Sequence, residues 1–259
     1  MLDIRVDAKR YPERGGRPHL ALSALQMTVQ RGEFVCVVGP SGCGKSTLLN
    51  IVGGLDRAFE GRVTMGGGFP EDVGFMFQEP RLMPWSSVLD NVLLVARGGE
   101  RARLKARALE LLRAMALGEV LDAYPGRLSG GMMRRVALAR AFVNEPALLL
   151  MDEPFVSLDS PTADRLRAML LAQWQRCGAS VLFVTHDLRE ALTLADRVCF
   201  LSPAPGRVVL EFAVDLPRPR ARAGAQLERL HAALLADHPE LLAGLPAAQG
   251  DVTEGRPVA

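Results

Sequence analysis

Phe34-Val-Cys-Val-Val38-Gly39-Pro40-Ser41-Gly42-Cys43-Gly44-Lys45-Ser46-Thr47-Leu-Leu-Asn-Ile-Val52 is the stretch on which the fold turns. Five apolar residues, Phe34–Val38, predict a strand buried on both faces, and Thr47–Val52 predicts a helix. The glycines between them let the backbone curl so that several N–H groups point at one centre. The helix N-terminus adds a positive field there. Lys45 supplies a point charge for the β- and γ-phosphates of a nucleotide, and the Ser46 hydroxyl supplies a ligand for Mg2+. The plain alternative is a glycine-rich turn that binds nothing. The Lys-Ser pair, in a strand–loop–helix context, argues against it.

Outward from this loop, apolar runs of strand length recur at Val73–Phe77, Leu148–Met151, Val181–Val184 and Val198–Leu201. Helix-like segments at Ser46–Val52, Pro161–Arg176 and Leu188–Leu194 lie among them. The alternation predicts an α/β architecture with a mainly parallel sheet. Shorter strands at Ile4–Val6, Leu25–Val29 and Arg62–Met65 predict an antiparallel β layer near the N-terminus. The stretch from about Pro80 to Ala141 holds no long apolar strand and carries Ala, Leu and Arg at helical spacing from Arg101 to Leu117. It reads as a helical subdomain inserted into the core. After Leu216 the chain enters Pro-Arg-Pro-Arg, an extended connector. A Leu-rich segment, Gln226–Leu245, predicts one or two helices, and Ala247–Ala259 a loose polar tail.

The bulk numbers narrow the function. The chain has 259 residues, 49% hydrophobic and 23% charged, enough for a sizeable core. Lys and Arg number 31 against 29 Asp and Glu, a formal charge of +2 with no basic stripe, which argues against nucleic acid as a partner. The basic run from Arg97 to Arg107 reads as the solvated face of a helix. Apolar runs such as Ala147–Met151 fall far short of the ~20 residues that cross a membrane. The N-terminus has no signal-peptide pattern, so the expected place is the cytoplasm, unless a partner holds the chain at a membrane. The four cysteines lack metal-ligand spacing. Cys36 and Cys199 read as buried small hydrophobes, whereas Cys43, beside a helix start, is expected to be a reactive thiol of lowered pKa.

Two further elements carry chemistry. Ala147-Leu-Leu-Leu-Met-Asp152-Glu153-Pro154 delivers two carboxylates at the C-terminal edge of a buried strand, where open α/β sheets bind ligands. Asp152 can engage Mg2+, and Glu153 can orient and polarise an attacking water. Alone, such a pair could simply end a strand. Leu128-Ser129-Gly130-Gly131-Met132, before the helical run Arg134–Phe142, is a second anion-binding helix start. One γ-phosphate does not need two such loops from the same subunit.

This last element resembles the signature motif of ABC ATPases, and the motifs follow that family's order from about Ile4 to Arg220. The resemblance implies a P-loop NTPase core over residues 1–220, with the helical subdomain at about 80–141. Residues 221–259 would be a C-terminal helical extension and tail. ATP and Mg2+ would be the cofactors. A second copy of the chain would pack head to tail, its Ser129, Gly130 and Gly131 completing the ATP site formed by Gly39 to Thr47. Gln78 is similar to the glutamine that senses Mg2+ and the attacking water. Ser157-Leu158-Asp159 resembles the loop that crosses the dimer interface, and His186 the switch histidine at the γ-phosphate. Tyr11 is the candidate aromatic for stacking on adenine. Met132 stands where the family commonly has Gln, and Arg134 where it often has Arg or Gln. Neither change removes a phosphate donor.

Within the family, a single cassette without a long coiled coil or a fused membrane domain resembles the importer subunits. Phe77-Gln-Glu-Pro-Arg-Leu-Met-Pro-Trp85-Ser-Ser-Val-Leu-Asp-Asn91-Val looks like the nitrate/sulfonate/taurine group. So do the Ser-Gly-Gly-Met of the signature element, Ser202-Pro-Ala-Pro-Gly-Arg207 and Leu216-Pro-Arg-Pro-Arg220. That resemblance implies permease partners, a solute-binding protein acting through them, and a place on the inner face of the cell membrane. Leu82, Met83, Pro84 and Trp85 put apolar bulk just after Gln78, suited to a groove that receives a permease helix. Internal packing is the plain alternative for these side chains. A soluble ABC ATPase that remodels protein or nucleic-acid complexes is the alternative function.

Overall fold

The computed structural model describes residues 1–12, 16, 18–97, 101–239 and 253–255. Arg14 in the connection beyond Tyr11, residues 98–100 of the basic run, residues 240–245 of the expected terminal helices and most of the tail lie outside the described residues. The chain divides into two compact units, Met1–Glu71 with Ser180–Ala259, and Asp72–Ala179. Elements are numbered along the chain.

In the first unit, β1 (Leu2–Tyr11) pairs antiparallel with β2 (His19–Val29) and with β4 (Glu60–Met65). Leu2, Ile4 and Val6 are fully buried while Arg5 and Asp7 face solvent, the period-two pattern of a sheet covered on one side. The second sheet of this unit is built differently. There β3 (Phe34–Val38) lies between β7 (Ser180–Thr185) and β8 (Arg197–Leu201), parallel to both. Every residue of β3 and β7 is buried, as expected of strands covered on both faces. The helices α1 (Lys45–Val52), α6 (Leu188–Leu194) and α7 (Ala225–Asp237) belong to this unit. A strand not foreseen, β9 (Val208–Ala213), runs antiparallel on β8. Its apolar residues alternate with half-buried ones, so it lacks the continuous run that marks the parallel strands. Thr253–Gly255, inside the stretch expected to be loose, forms β10 and pairs parallel with β9.

In the second unit, β5 (Val73–Met76) and β6 (Leu148–Asp152) form a parallel pair. Around them stand α2 (Val88–Leu93), α3 (Arg101–Ala114), α4 (Gly130–Phe142) and α5 (Ser160–Cys177). The helical stretch read from the sequence falls inside this unit, which also takes in β5, β6 and α5. Helix α4 is its centre, packing on α2, α3, α5 and β5. A Cβ on Gly74 would lie 2.3 Å from the Ala141 carbonyl, so the glycine lets α4 approach the strand backbone. Helix α5 opens on Asp159, whose carboxylate accepts from Thr162 N, and closes on Gly178 in the left-handed region. Among the described residues no helix is long and apolar enough to cross a membrane.

Candidate functional site

The phosphate loop joins β3 to α1 within the first unit. Gly44 caps α1 at φ 99°, and a Cβ there would lie 2.5 Å from Leu22 Cδ2. Gly42, at φ 78°, faces open space. Both conformations suit glycine and penalise other residues. The Lys45 side chain is buried, and its ammonium donates to the Gly39 and Pro40 carbonyls at 2.8 Å each. It is thus fixed on the loop rather than waving in solvent. Ser41, Gly42 and Ser46 are exposed, and no acidic side chain stands in the first turn of α1. The first N–H groups of a helix have no intrahelical acceptor. An open concavity of N–H donors around a tethered cation fits a polyphosphate.

Cys43 does not follow its expectation. It is fully buried, and burial pushes its pKa up, outweighing Lys45, whose Nζ lies 3.9 Å from the thiol sulfur. The sulfur points inward, where a Cβ on Gly39 would approach it to 2.8 Å. The helix field is therefore overridden by desolvation. Tyr11 ends β1 beside α1, its hydroxyl within reach of Thr47 Oγ1 (3.3 Å) and Asp56 Oδ2 (3.2 Å). The buried Lys9 ammonium stands 4.5 Å from its ring centroid. His186 follows β7 directly and is exposed.

In the second unit, β6 carries Asp152 at its end, and Glu153 follows at φ 41°. A left-handed conformation at a glutamate costs on the order of 1–2 kcal/mol. Such strain turns the chain sharply as it leaves the strand edge. Gln78 lies exposed just beyond β5. Ser129 caps α4, accepting from Met132 N at 3.2 Å, and Asp159 caps α5, accepting from Thr162 N at 3.0 Å. The Thr162 N–H holds the Asp159 carboxyl below the usual carboxylate range. Ser129, Gly130, Gly131 and Asp159 line one cleft of about 460 Å³ with Arg135 and Arg165. A Cβ on Gly131 would lie 2.8 Å from Thr162 Cγ2. The signature glycines and the start of α5 are therefore brought together.

The ABC transporter family model matches residues 22–156. The chain is 46% identical over 239 residues to the aliphatic sulfonates import ATP-binding protein SsuB 2 of Burkholderia lata, covering 91% of this chain and 85% of that protein. It is 44% identical over 230 residues to the taurine import ATP-binding protein TauB of Rhizobium johnstonii, covering 86% of this chain and 88% of that one. The chain belongs to the ABC transporter family. A solved dimeric ATP-binding cassette in a post-hydrolysis state, bound to ADP and Pi, is similar at TM-score 0.72 and 33% identity over 84% of this chain and all of that one. The protein is an ATP-binding, ATP-hydrolysing cassette of the P-loop α/β fold, as its motifs implied.

Three features of the cassette escaped the sequence reading. Arg134, one turn into α4, donates to the main-chain carbonyls of Gln78 (2.9 Å), Pro154 (2.8 Å) and Val156 (2.6 Å). Arg140 donates to Pro80 (2.6 Å) and Arg81 (2.9 Å). Two guanidiniums of one helix thus hold the turn that carries Gln78. Gly206 is the second feature. Its N–H bonds Ala21 O, and a Cβ on it would sit 2.0 Å from the Cys43 carbonyl. The 202–207 motif therefore backs the phosphate loop. The third is Asn91, fully buried, whose amide bonds Met83 N and the carbonyls of Met83, Ser86 and Ser87. It shapes a loop in which Leu82 and Met83 are half-buried while Trp85 is 74% exposed.

Proposed function

We propose that this cassette powers the import of a small sulfonate- or taurine-type organic anion. The observation that carries the reading is its 43–47% identity, over most of the chain, to the import ATP-binding proteins. Two copies would close head to tail on two ATP molecules, each Ser129–Gly131 loop completing the partner copy's site. The similar solved cassettes are dimers, which supports this arrangement. Lys45 and the loop N–H groups from Gly39 to Thr47 would hold the β- and γ-phosphates. Tyr11, anchored beside Thr47, would stack on adenine. Glu153 would hold the attacking water and accept its proton, while His186 and Gln78 would contact the γ-phosphate and that water. Asp159 would lie at the dimer interface. Ser46, Gln78 and Asp152 offer a hydroxyl, an amide and a carboxylate, oxygen donors suited to Mg2+. When bound, that ion would neutralise charge building up on the phosphates.

Residues 1–220 would form the motor, with the helical subdomain at about 80–141, and residues 221–259 an extension of it. Trp85 and its apolar neighbours would seat a permease helix, keeping the cassette at the inner face of the membrane. A solute-binding protein would act through the permease. The direct test is to isolate the cassette from membranes of its own cells and reconstitute it with the proteins that accompany it. Co-isolation of a hydrophobic permease and ATP-dependent sulfonate uptake into vesicles are expected. Recovery with nucleic acid or soluble proteins alone, and no uptake, would sink the proposal.

A further inference from the structure

The connector after β9 attaches to both ends of α6, the helix that follows His186. At the C-terminal end Arg218 bonds the Asp196 carboxylate and the Leu194 carbonyl. Arg220 donates to the carbonyls of Leu192 (2.9 Å) and Ala195 (2.5 Å). The last carbonyls of a helix have no intrahelical donor, and these two arginines serve them. Arg222 then reaches the opposite end and pairs with the Asp187 carboxylate.

Asp187 is not a bystander to that turn. Its other carboxylate oxygen accepts from Glu190 N at 3.1 Å, capping α6. Its own N–H donates to Thr185 Oγ1 at 3.0 Å, and that hydroxyl donates to Glu190 at 2.8 Å. His186 is therefore a single residue bracketed between the buried end of β7 and a cap whose carboxylate the connector holds. The ion pair is only partly exposed, at 33% and 31% for the two side chains, so it is shielded from full solvent screening. A second pair, Arg189 with Glu228, ties α6 to α7, the helix into which the connector runs.

We infer that Arg222 is a positioning residue for ATP hydrolysis: by clamping Asp187 it fixes the main chain on which His186 is presented. The inference rests on the reading of His186 as the residue that meets the γ-phosphate. Small displacements of a positioned group weaken chemistry far more than they weaken binding. The C-terminal connector is thereby part of the hydrolytic machinery rather than an appendage.

The experiment measures kcat, KM for MgATP and the melting temperature of the full chain carrying Arg222→Ala, Arg222→Lys or His186→Ala. Arg222→Ala is expected to lower kcat about five- to twentyfold with KM changed less than about twofold. Arg222→Lys keeps the charge that meets the single Asp187 oxygen and is expected to restore most of kcat. If His186→Ala abolishes turnover while Arg222→Ala stays within about twofold of the unmodified chain, the positioning role is wrong and the reading of His186 stands. If His186→Ala turns over normally, that reading falls first. Equal kcat losses in the Ala and Lys variants, with matching drops in melting temperature, would reduce Arg222 to a structural role and overturn the inference.

Discussion

Gly206 and Cys43 meet backbone to backbone, and each explains the other. No side chain fits at residue 206 without pushing the Cys43 carbonyl, and with it the phosphate loop. Gly206→Ala is expected to weaken ATP binding by about tenfold or more, because displaced donors no longer converge. Calorimetric titration with ATP checks this, and unchanged affinity would show that the loop yields harmlessly. Cys43 itself is expected to resist alkylation at neutral pH, since a buried thiol of raised pKa holds little thiolate. Burial keeps it protonated as pH rises through the ordinary thiol range, so labelling should appear first at the half-buried Cys177. Mass spectrometry after a timed iodoacetamide pulse separates the two sites. Early modification of Cys43 would contradict the burial argument.

Among the elements, α4 does more than start with the Ser129 cap proposed to meet a phosphate. Its Arg134 collects three carbonyls, from the Gln78 turn and from the segment after Glu153. Desolvation lowers the pKa of this guanidinium, yet it remains charged at any ordinary pH. Arg134→Ala strips these carbonyls of a charged donor and is expected to cost about 1–3 kcal/mol in denaturant unfolding. ATPase activity should fall as well, since both Gln78 and Glu153 stand on the freed segments. A variant as stable and as active as the parent would reduce the clamp to a surface contact. The loop before α2 behaves differently. Asn91 holds its backbone from inside while Trp85 stands out, so Trp85→Ala should leave basal ATPase intact but abolish co-isolation with a permease. Retained co-isolation would move the docking site elsewhere.

For the molecule as a whole, the proposed closure of two copies makes a prediction about mass. Glu153→Gln keeps the phosphate loop and its donors but removes the proposed base, so turnover should drop by roughly 10²–10⁴. With ATP trapped, the variant should run as a dimer in size-exclusion chromatography with light scattering, and as a monomer without nucleotide. A monomer under both conditions would count against the shared site, and near-normal turnover would remove Glu153 from its role.

The phosphate loop, the carboxylate pair and the signature element were legible because each is contiguous: strand, curl and helix start lie within about a dozen residues of sequence. The parallel strands β3, β6, β7 and β8 were visible for a similar reason, since burial on both faces leaves an unbroken apolar run. Strand β9 was not, because its buried residues alternate with half-buried and exposed ones and so mimic ordinary surface chain. Cys43 was misjudged because a helix start can be seen in sequence whereas the burial of one sulfur cannot. What only the tertiary structure decided are contacts across long separations. Arg134 meets Gln78 over 56 positions, Arg222 meets Asp187 over 35, and Gly206 meets the Cys43 backbone from a distant stretch of the chain. By itself the sequence determined which chemistry this protein carries, because local backbone geometry presents phosphate donors. Folding decided what holds that chemistry in place, because the flexible reach of arginine and the bare backbone of glycine leave no periodic trace.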